Sequence, residues 1–101
     1  MTKLRSSLVQ CDLRWEDPQA NHAHLEELLG ELDSRDTDLI VLPEMFATGF
    51  TMNSREMAQP MAESQSVTWL QTQAQARNCV MTGSVAIKKD GEYFNRLIWA
   101  T

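Results

Sequence analysis

Asp38-Leu39-Ile40-Val41-Leu42-Pro43-Glu44-Met45-Phe46-Ala47-Thr48-Gly49-Phe50 is the stretch on which the fold turns. Leu39 to Leu42 are four branched apolar residues in a row, with no polar residue between them. A strand of that kind is normally covered on both faces, as in the middle of a parallel sheet. Pro43 ends it, because proline has no N–H to give to a ladder. The following residues, Glu44 to Gln65, contain Gly49, Asn53 and Pro60 and show no period. A loop of that length in a compact domain tends to be functional. It also holds Met45, Phe46, Phe50, Met52, Met57 and Met61, too much apolar surface to be simply solvated.

Upstream, Leu4–Gln10 reads as a short strand. Asp17-Pro18 is a helix start, with Asp as N-cap and Pro at the first helical position. Leu25, Leu28, Leu29 and Leu32 follow at helical spacing, and the helix fades through Ser34–Asp36. Downstream, Ser66–Arg77 fits a second helix, with Ser66 as N-cap and Val67, Leu70 and Ala74 on one face. Cys79–Ile87 reads as a strand, Lys88-Lys89-Asp90-Gly91 as a hairpin turn and Tyr93–Thr101 as the returning strand. The order β-α-β-loop-α-β-turn-β implies an α/β layered fold with right-handed crossovers. The final hairpin is antiparallel, so the sheet is expected to be mixed.

At 101 residues the chain is one domain at most. With 43% apolar and 23% charged residues it is neither a disordered tail nor a collagen-like repeat. Two cysteines, Cys11 and Cys79, do not make a disulfide scaffold. Nine Lys and Arg against fourteen Asp and Glu give a net charge of −5, which argues against a nucleic-acid partner. The longest apolar runs, Leu39–Leu42 and Leu97–Ala100, fall far short of the ~20 residues a membrane helix needs. The N-terminus lacks the apolar core of a secretory signal, so a cytoplasmic location with reduced thiols is expected. Leu97-Ile98-Trp99-Ala100-Thr101 is an apolar strand with nothing after it to cover it. Residues 1–101 therefore read as the N-terminal portion of a larger domain. The alternative is a small complete domain with that strand in the middle of its sheet.

Glu44 is the leading candidate for chemistry. It follows the buried strand at its carboxyl end, where open α/β sheets bind their ligands. Met45, Phe46 and Phe50 beside it would desolvate it, raise its pKa and suit it to general-base work near neutral pH. The plainer reading is a surface carboxylate at a strand end. His22 and His24, two apart on a helix, point to different sides and make no metal site together. Both read as solvent-facing. Trp15, Trp69 and Trp99 read as packing residues.

Leu42-Pro43-Glu44-Met45-Phe46-Ala47-Thr48-Gly49-Phe50 resembles the first signature of the nitrilase (carbon–nitrogen hydrolase) superfamily, most of all its omega-amidase branch. Val9-Gln10, Trp15, Asp17 and Ala20-Asn21 follow the family's opening pattern. Gly83-Ser84-Val85-Ala86 and Asn95-Arg96 stand where members carry a Gly-Ser strand and an Asn-Arg strand start. The resemblance runs over all 101 residues.

It implies one part of an α-β-β-α sandwich, with the helices of this part on one face of its sheet. It also implies a Glu-Lys-Cys triad, in which Glu takes the thiol proton and the thiolate attacks an amide carbon. Ammonia then leaves, and water hydrolyses the thioester. The substrate implied is a small amide, such as the terminal amide of a 2-oxo acid; no cofactor or metal enters, and members tend to form homo-oligomers. Only the Glu maps, onto Glu44. Phe46 and Phe50, its nearest aromatic neighbours in sequence, are the candidates for substrate binding. Lys88 and Lys89 precede the last strand, whereas the family Lys follows it, so they read as solvated turn charges. Cys11-Asp12-Leu13-Arg14 echoes the family's nucleophile turn but lacks the residue between Cys and Asp. Cys11 thus reads as a strand-end residue, and Cys79 as a small buried apolar group. An amidase whose isolated residues 1–101 are inactive is one expectation. A non-catalytic α/β interaction or ligand-binding module, a degenerate remnant of the family, is the other.

Overall fold

The computed structural model describes residues 3–32 and 34–101. Seven regular elements follow one another: β1 (Ser6–Leu8), α1 (Pro18–Leu29), β2 (Leu39–Val41), α2 (Ser54–Met57), α3 (Gln65–Arg77), β3 (Val80–Lys89) and β4 (Glu92–Ala100). Short 3-10 turns lie at Ser34–Asp36 and Met61–Glu63. The strands form one sheet in the order β1-β2-β3-β4. β1, β2 and β3 run parallel, and β4 returns antiparallel to β3. The sheet is mixed, as the hairpin requires.

Local chemistry explains the boundaries. Asp17 caps α1, its side chain accepting from the Ala20 N–H, with Pro18 at the first helical position. The cap of α3 is Ser64, two residues before Ser66, and its side chain accepts from the Val67 N–H. Ser66 is instead buried against His22. The α3 helix ends at Asn78, whose left-handed backbone (φ 51°) closes the last turn. At the β3–β4 turn, Asp90 (φ 53°) and Gly91 (φ 75°) both have the positive φ that a tight two-residue hairpin needs.

The core lies on the helix side of the sheet. Leu25 and Leu29 of α1 and Val67, Leu70 and Ala74 of α3 close over Ile40, Met81, Val85, Ile87, Ile98 and Ala100. Direct pairing puts Leu8, Val41, Thr82 and Trp99 on the other face, with Ser84, Leu97 and Asn95 beside them. No element of the described residues covers that face, and Leu8, Leu97 and Trp99 are more than half exposed. Strand β2 is consequently buried only on its helix side: Ile40 is buried, Leu39 and Val41 half-buried. Its continuous apolar run is thus central in the sheet, but it is covered on one face rather than two.

His22 is half-buried, not solvent-facing as its place on α1 suggests. The structure stacks its ring on Trp69, with centroids 4.9 Å apart and planes within 6°. His22 Nε2 lies 3.0 Å from Ser66 Oγ, and Trp69 Nε1 donates to Glu26 at 2.7 Å. The correction comes from α3, whose Ser66 and Trp69 face α1 across the layer. Burial holds the His22 pKa below its usual value, with Glu26 pulling weakly the other way. The folded state therefore prefers the neutral ring, while the unfolded chain takes a proton near pH 6.5. Stability from this stack is present above that pH and is lost as pH falls through it. The melting temperature should drop between about pH 7.5 and about pH 5.5, and His22→Gln should flatten the drop; an equal slope in the variant would contradict this.

Candidate active site

The site is built where β2 ends. The Leu42 N–H donates to the Thr82 carbonyl at 2.9 Å, which carries the pairing with β3 one residue past β2. Pro43 then stops it, and Glu44 projects beside β3 and β4. An open cleft of about 330 Å³ lies here, lined by Val41, Leu42, Glu44, Gly83, Ser84, Asn95 and Leu97. It sits at the carboxyl end of β2, on the face of the sheet away from the helices, where α/β folds place ligands.

Four hydrogen bonds, one to Glu44 and three to Met45 beside it, set the direction of Glu44. Asn95 Nδ2 donates to Glu44 Oε1 at 2.8 Å. Ser84 Oγ, on β3, accepts from the Met45 N–H at 2.8 Å. Met45 itself has φ 50°, a left-handed backbone that costs a non-glycine residue about 1–2 kcal/mol. The Thr48 and Gly49 N–H groups hold it there by donating to the Met45 carbonyl at 3.1 and 2.9 Å. Strain of this kind, kept in place by surrounding bonds, tends to gather at functional sites. The reversal at Met45 sends Phe46 to the helix side of the sheet while Glu44 stays at the cleft.

Phe46 anchors the loop. It is fully buried, 5.6 Å from the Trp69 ring and 6.4 Å from His22 between centroids. It lies so close on β3 that a Cβ at Gly83 would come within 2.7 Å of its Cδ1. Asn21 of α1 anchors the next residue. It is fully buried, donates to the Ala47 carbonyl at 2.7 Å and exchanges two hydrogen bonds with the Arg14 backbone. The Glu44 turn is thus tied to α1, α3 and β3 rather than hanging from the sheet.

The expected apolar wall around Glu44 does not form. Glu44 is exposed, Met45 and Phe46 are turned into the core, and Phe50 is largely in solvent. Neither Phe46 nor Phe50 lines the cleft. Lys88 and Lys89 lie elsewhere, at a larger groove of about 680 Å³ between residues 58–63 and the β3–β4 turn. There they stand among Glu63, Asp90 and Arg96, without Glu44. Cys11 packs at the margin of the core, and its thiol is pushed up first by burial and then by Asp12, which disfavours the nucleophilic thiolate. Burial also raises Cys79, against a smaller opposing pull from Arg77. Among the described residues, no group of three or more His, Cys, Asp or Glu is arranged to hold a metal. No helix there is long and apolar enough to cross a membrane.

Two residues of the site, Ser84 and Asn95, have a part in it that their sequence context alone does not assign. The signal lies in the register: in an antiparallel hairpin with its turn at Asp90-Gly91, both fall on the face that Glu44 joins.

Residues 5–101 match the carbon-nitrogen hydrolase family, and the chain belongs to that family. Over 98 residues it is 40% identical to the omega-amidase YafV of Yersinia enterocolitica, covering 97% of this chain and 37% of that protein. A 2-oxoglutaramate amidase of Bacillus subtilis is 30% identical over 93 residues, 90% of this chain and 35% of its own length. Among solved structures, XC1258 of Xanthomonas campestris, a CN-hydrolase superfamily protein with an arsenic adduct in its active site, superposes with a TM-score of 0.91. It is 40% identical, matching all of this chain and 37% of its own. Nit3 of Saccharomyces cerevisiae shares the fold, with a TM-score of 0.78 at 24% identity over 96% of this chain and 39% of its own. The chain therefore spans little more than a third of the length of these relatives.

Proposed function

We propose that this chain supplies the general base of an omega-amidase-type hydrolase. The reaction cleaves the terminal amide of a small carboxylic or 2-oxo acid amide to the acid and ammonia through a Cys thioester. The observation that carries this reading is Glu44, fixed at the carboxyl end of β2 in an open cleft with one carboxylate oxygen held by Asn95.

The chemistry follows from the group present. A thiol at its ordinary pKa is only a few per cent thiolate at about pH 7, so a base beside it raises the reactive fraction. Glu44 accepts that proton and returns it to the departing nitrogen. The thioester that forms splits one difficult hydrolysis into two easier steps, and Glu44 then deprotonates the attacking water. No cysteine or lysine lines the cleft, so the nucleophile and the oxyanion-stabilising cation come from the length that the relatives have beyond this portion. The bare apolar face of Leu8, Leu97 and Trp99 is the surface on which the second sheet of the sandwich packs. That layer also closes the cleft and removes water from around Glu44.

The test is to give a full-length enzyme carrying these residues a 2-oxo acid amide and to measure ammonia and dicarboxylate together. Equimolar release is the expected result; no release from any small terminal amide would contradict the reading. Residues 1–101 alone are expected to show no turnover. Hydrolysis by that portion which Cys11→Ser abolishes would make Cys11 the nucleophile and overturn the assignment.

A further inference from the structure

The two oxygens of the Glu44 carboxylate are not equivalent. Oε1 accepts from Asn95 Nδ2 at 2.8 Å, and among the described residues no hydrogen bond reaches Oε2. A carboxylate only accepts, so the Asn95 amide must present its N–H₂ and not its oxygen. Asn95 sits on β4 opposite Ala86, and its side chain shares the cleft lining with Glu44, Ser84 and Leu97. It is exposed, and its side chain makes no other hydrogen bond among the described residues. A role confined to folding does not explain why its one bond goes to the carboxylate of the cleft. Aim is the better account.

We propose that Asn95 is a positioning residue for Glu44: it occupies Oε1 and so presents Oε2 to the cleft as the atom that takes the proton. This rests on the reading of Glu44 as general base. A neutral amide suits the task. It carries no charge that would pair with the carboxylate, and it cannot itself take up the proton being moved. With Ser84 fixing the backbone at Met45 and Asn95 fixing Oε1, the carboxylate has one orientation left, with Oε2 toward the substrate. In the step itself the S–H bond breaks with its electron pair left on sulfur, and an O–H bond forms at Oε2.

The experiment compares Asn95→Asp, Asn95→Ser and Glu44→Gln in a full-length enzyme carrying these residues, with melting curves for each. Asn95→Asp keeps the shape but places a second carboxylate against Oε1. We expect kcat to fall about 10²-fold at neutral pH with little change in KM, as for other misaimed groups. The deficit should shrink as pH is lowered, because the introduced carboxyl group, once protonated, can donate to Oε1 again. Asn95→Ser cannot span the gap, so its kcat should fall with no recovery at lower pH. An Asn95→Asp profile parallel to the parent's at all pH values would overturn the proposal. A loss that follows melting temperature or KM alone would overturn it too. Glu44→Gln separates the two claims. If Glu44→Gln is inactive and Asn95→Asp is not impaired, only the positioning role fails; if Glu44→Gln retains turnover, the base and its positioning residue fail together.

Discussion

Glu44→Gln in a full-length enzyme carrying these residues is expected to lower kcat by about 10²–10⁴-fold, the range of a lost general base. KM should change little. The reason lies in what the amide keeps and what it loses. The oxygen of the substituted amide can still accept from Asn95, so the 2.8 Å contact and the cleft geometry survive. The group can no longer take a proton, so neither the thiol nor the later water is activated. The amide also keeps the size of the carboxylate and leaves Asn95 paired, so no partner is stranded when the second layer closes the cleft. Melting temperature should therefore be unchanged, and steady-state ammonia release read beside a melting curve separates chemistry from folding.

Phe46→Ala should have the largest effect on stability, a loss of about 3–5 kcal/mol. The ring is fully buried between α3 and β3, and Gly83 leaves no side chain to fill the space it vacates. At about 4–8 °C per kcal/mol for a domain of this size, the melting temperature should fall by more than about 10 °C. Phe50→Ala, at a position 64% exposed, should fall within about 0.5 kcal/mol of the parent. Gly83→Ala tests the fit from the other side. Alone it forces a 2.7 Å contact with the ring; combined with Phe46→Ala it should recover part of the loss, a coupling that a double-mutant cycle reads. Equal melting of Phe46→Ala and Phe50→Ala would contradict this packing.

The contrast between these two phenylalanines shows what is legible in the sequence. Asp17-Pro18, Val67/Leu70/Ala74 and Asp90-Gly91 carry their own local physics, and the structure places each as its chemistry demands. The apolar run at Leu39–Val41 marks the central strand for the same reason. Its second covering layer cannot be judged from this stretch, because apolar side chains on an open face and a closed face read alike. Phe46 and Phe50 flank the same turn, and proximity in sequence assigns both to Glu44. A single left-handed residue, Met45, sends Phe46 through to the other side of the sheet. Positive φ at a methionine has no sequence signature, since that conformation belongs by default to glycine and asparagine. His22 eludes the sequence for a related reason: its burial depends on the stack with Trp69, far along the chain, which periodicity along α1 does not report. Glu44 itself is legible because strand, proline and carboxylate are adjacent. Asn95, which holds it, becomes visible only once the hairpin register is known.

The most direct test of Glu44 as the base is a pre-steady-state one. A full-length enzyme carrying these residues is mixed with excess 2-oxo acid amide at neutral pH, quenched within the first turnover, and examined by intact mass for the acyl-thioester. The parent should show the adduct forming together with one equivalent of ammonia, and Glu44→Gln should show neither on that timescale. Adduct and ammonia appearing in Glu44→Gln at the parent's rate would mean that another group deprotonates the sulfur.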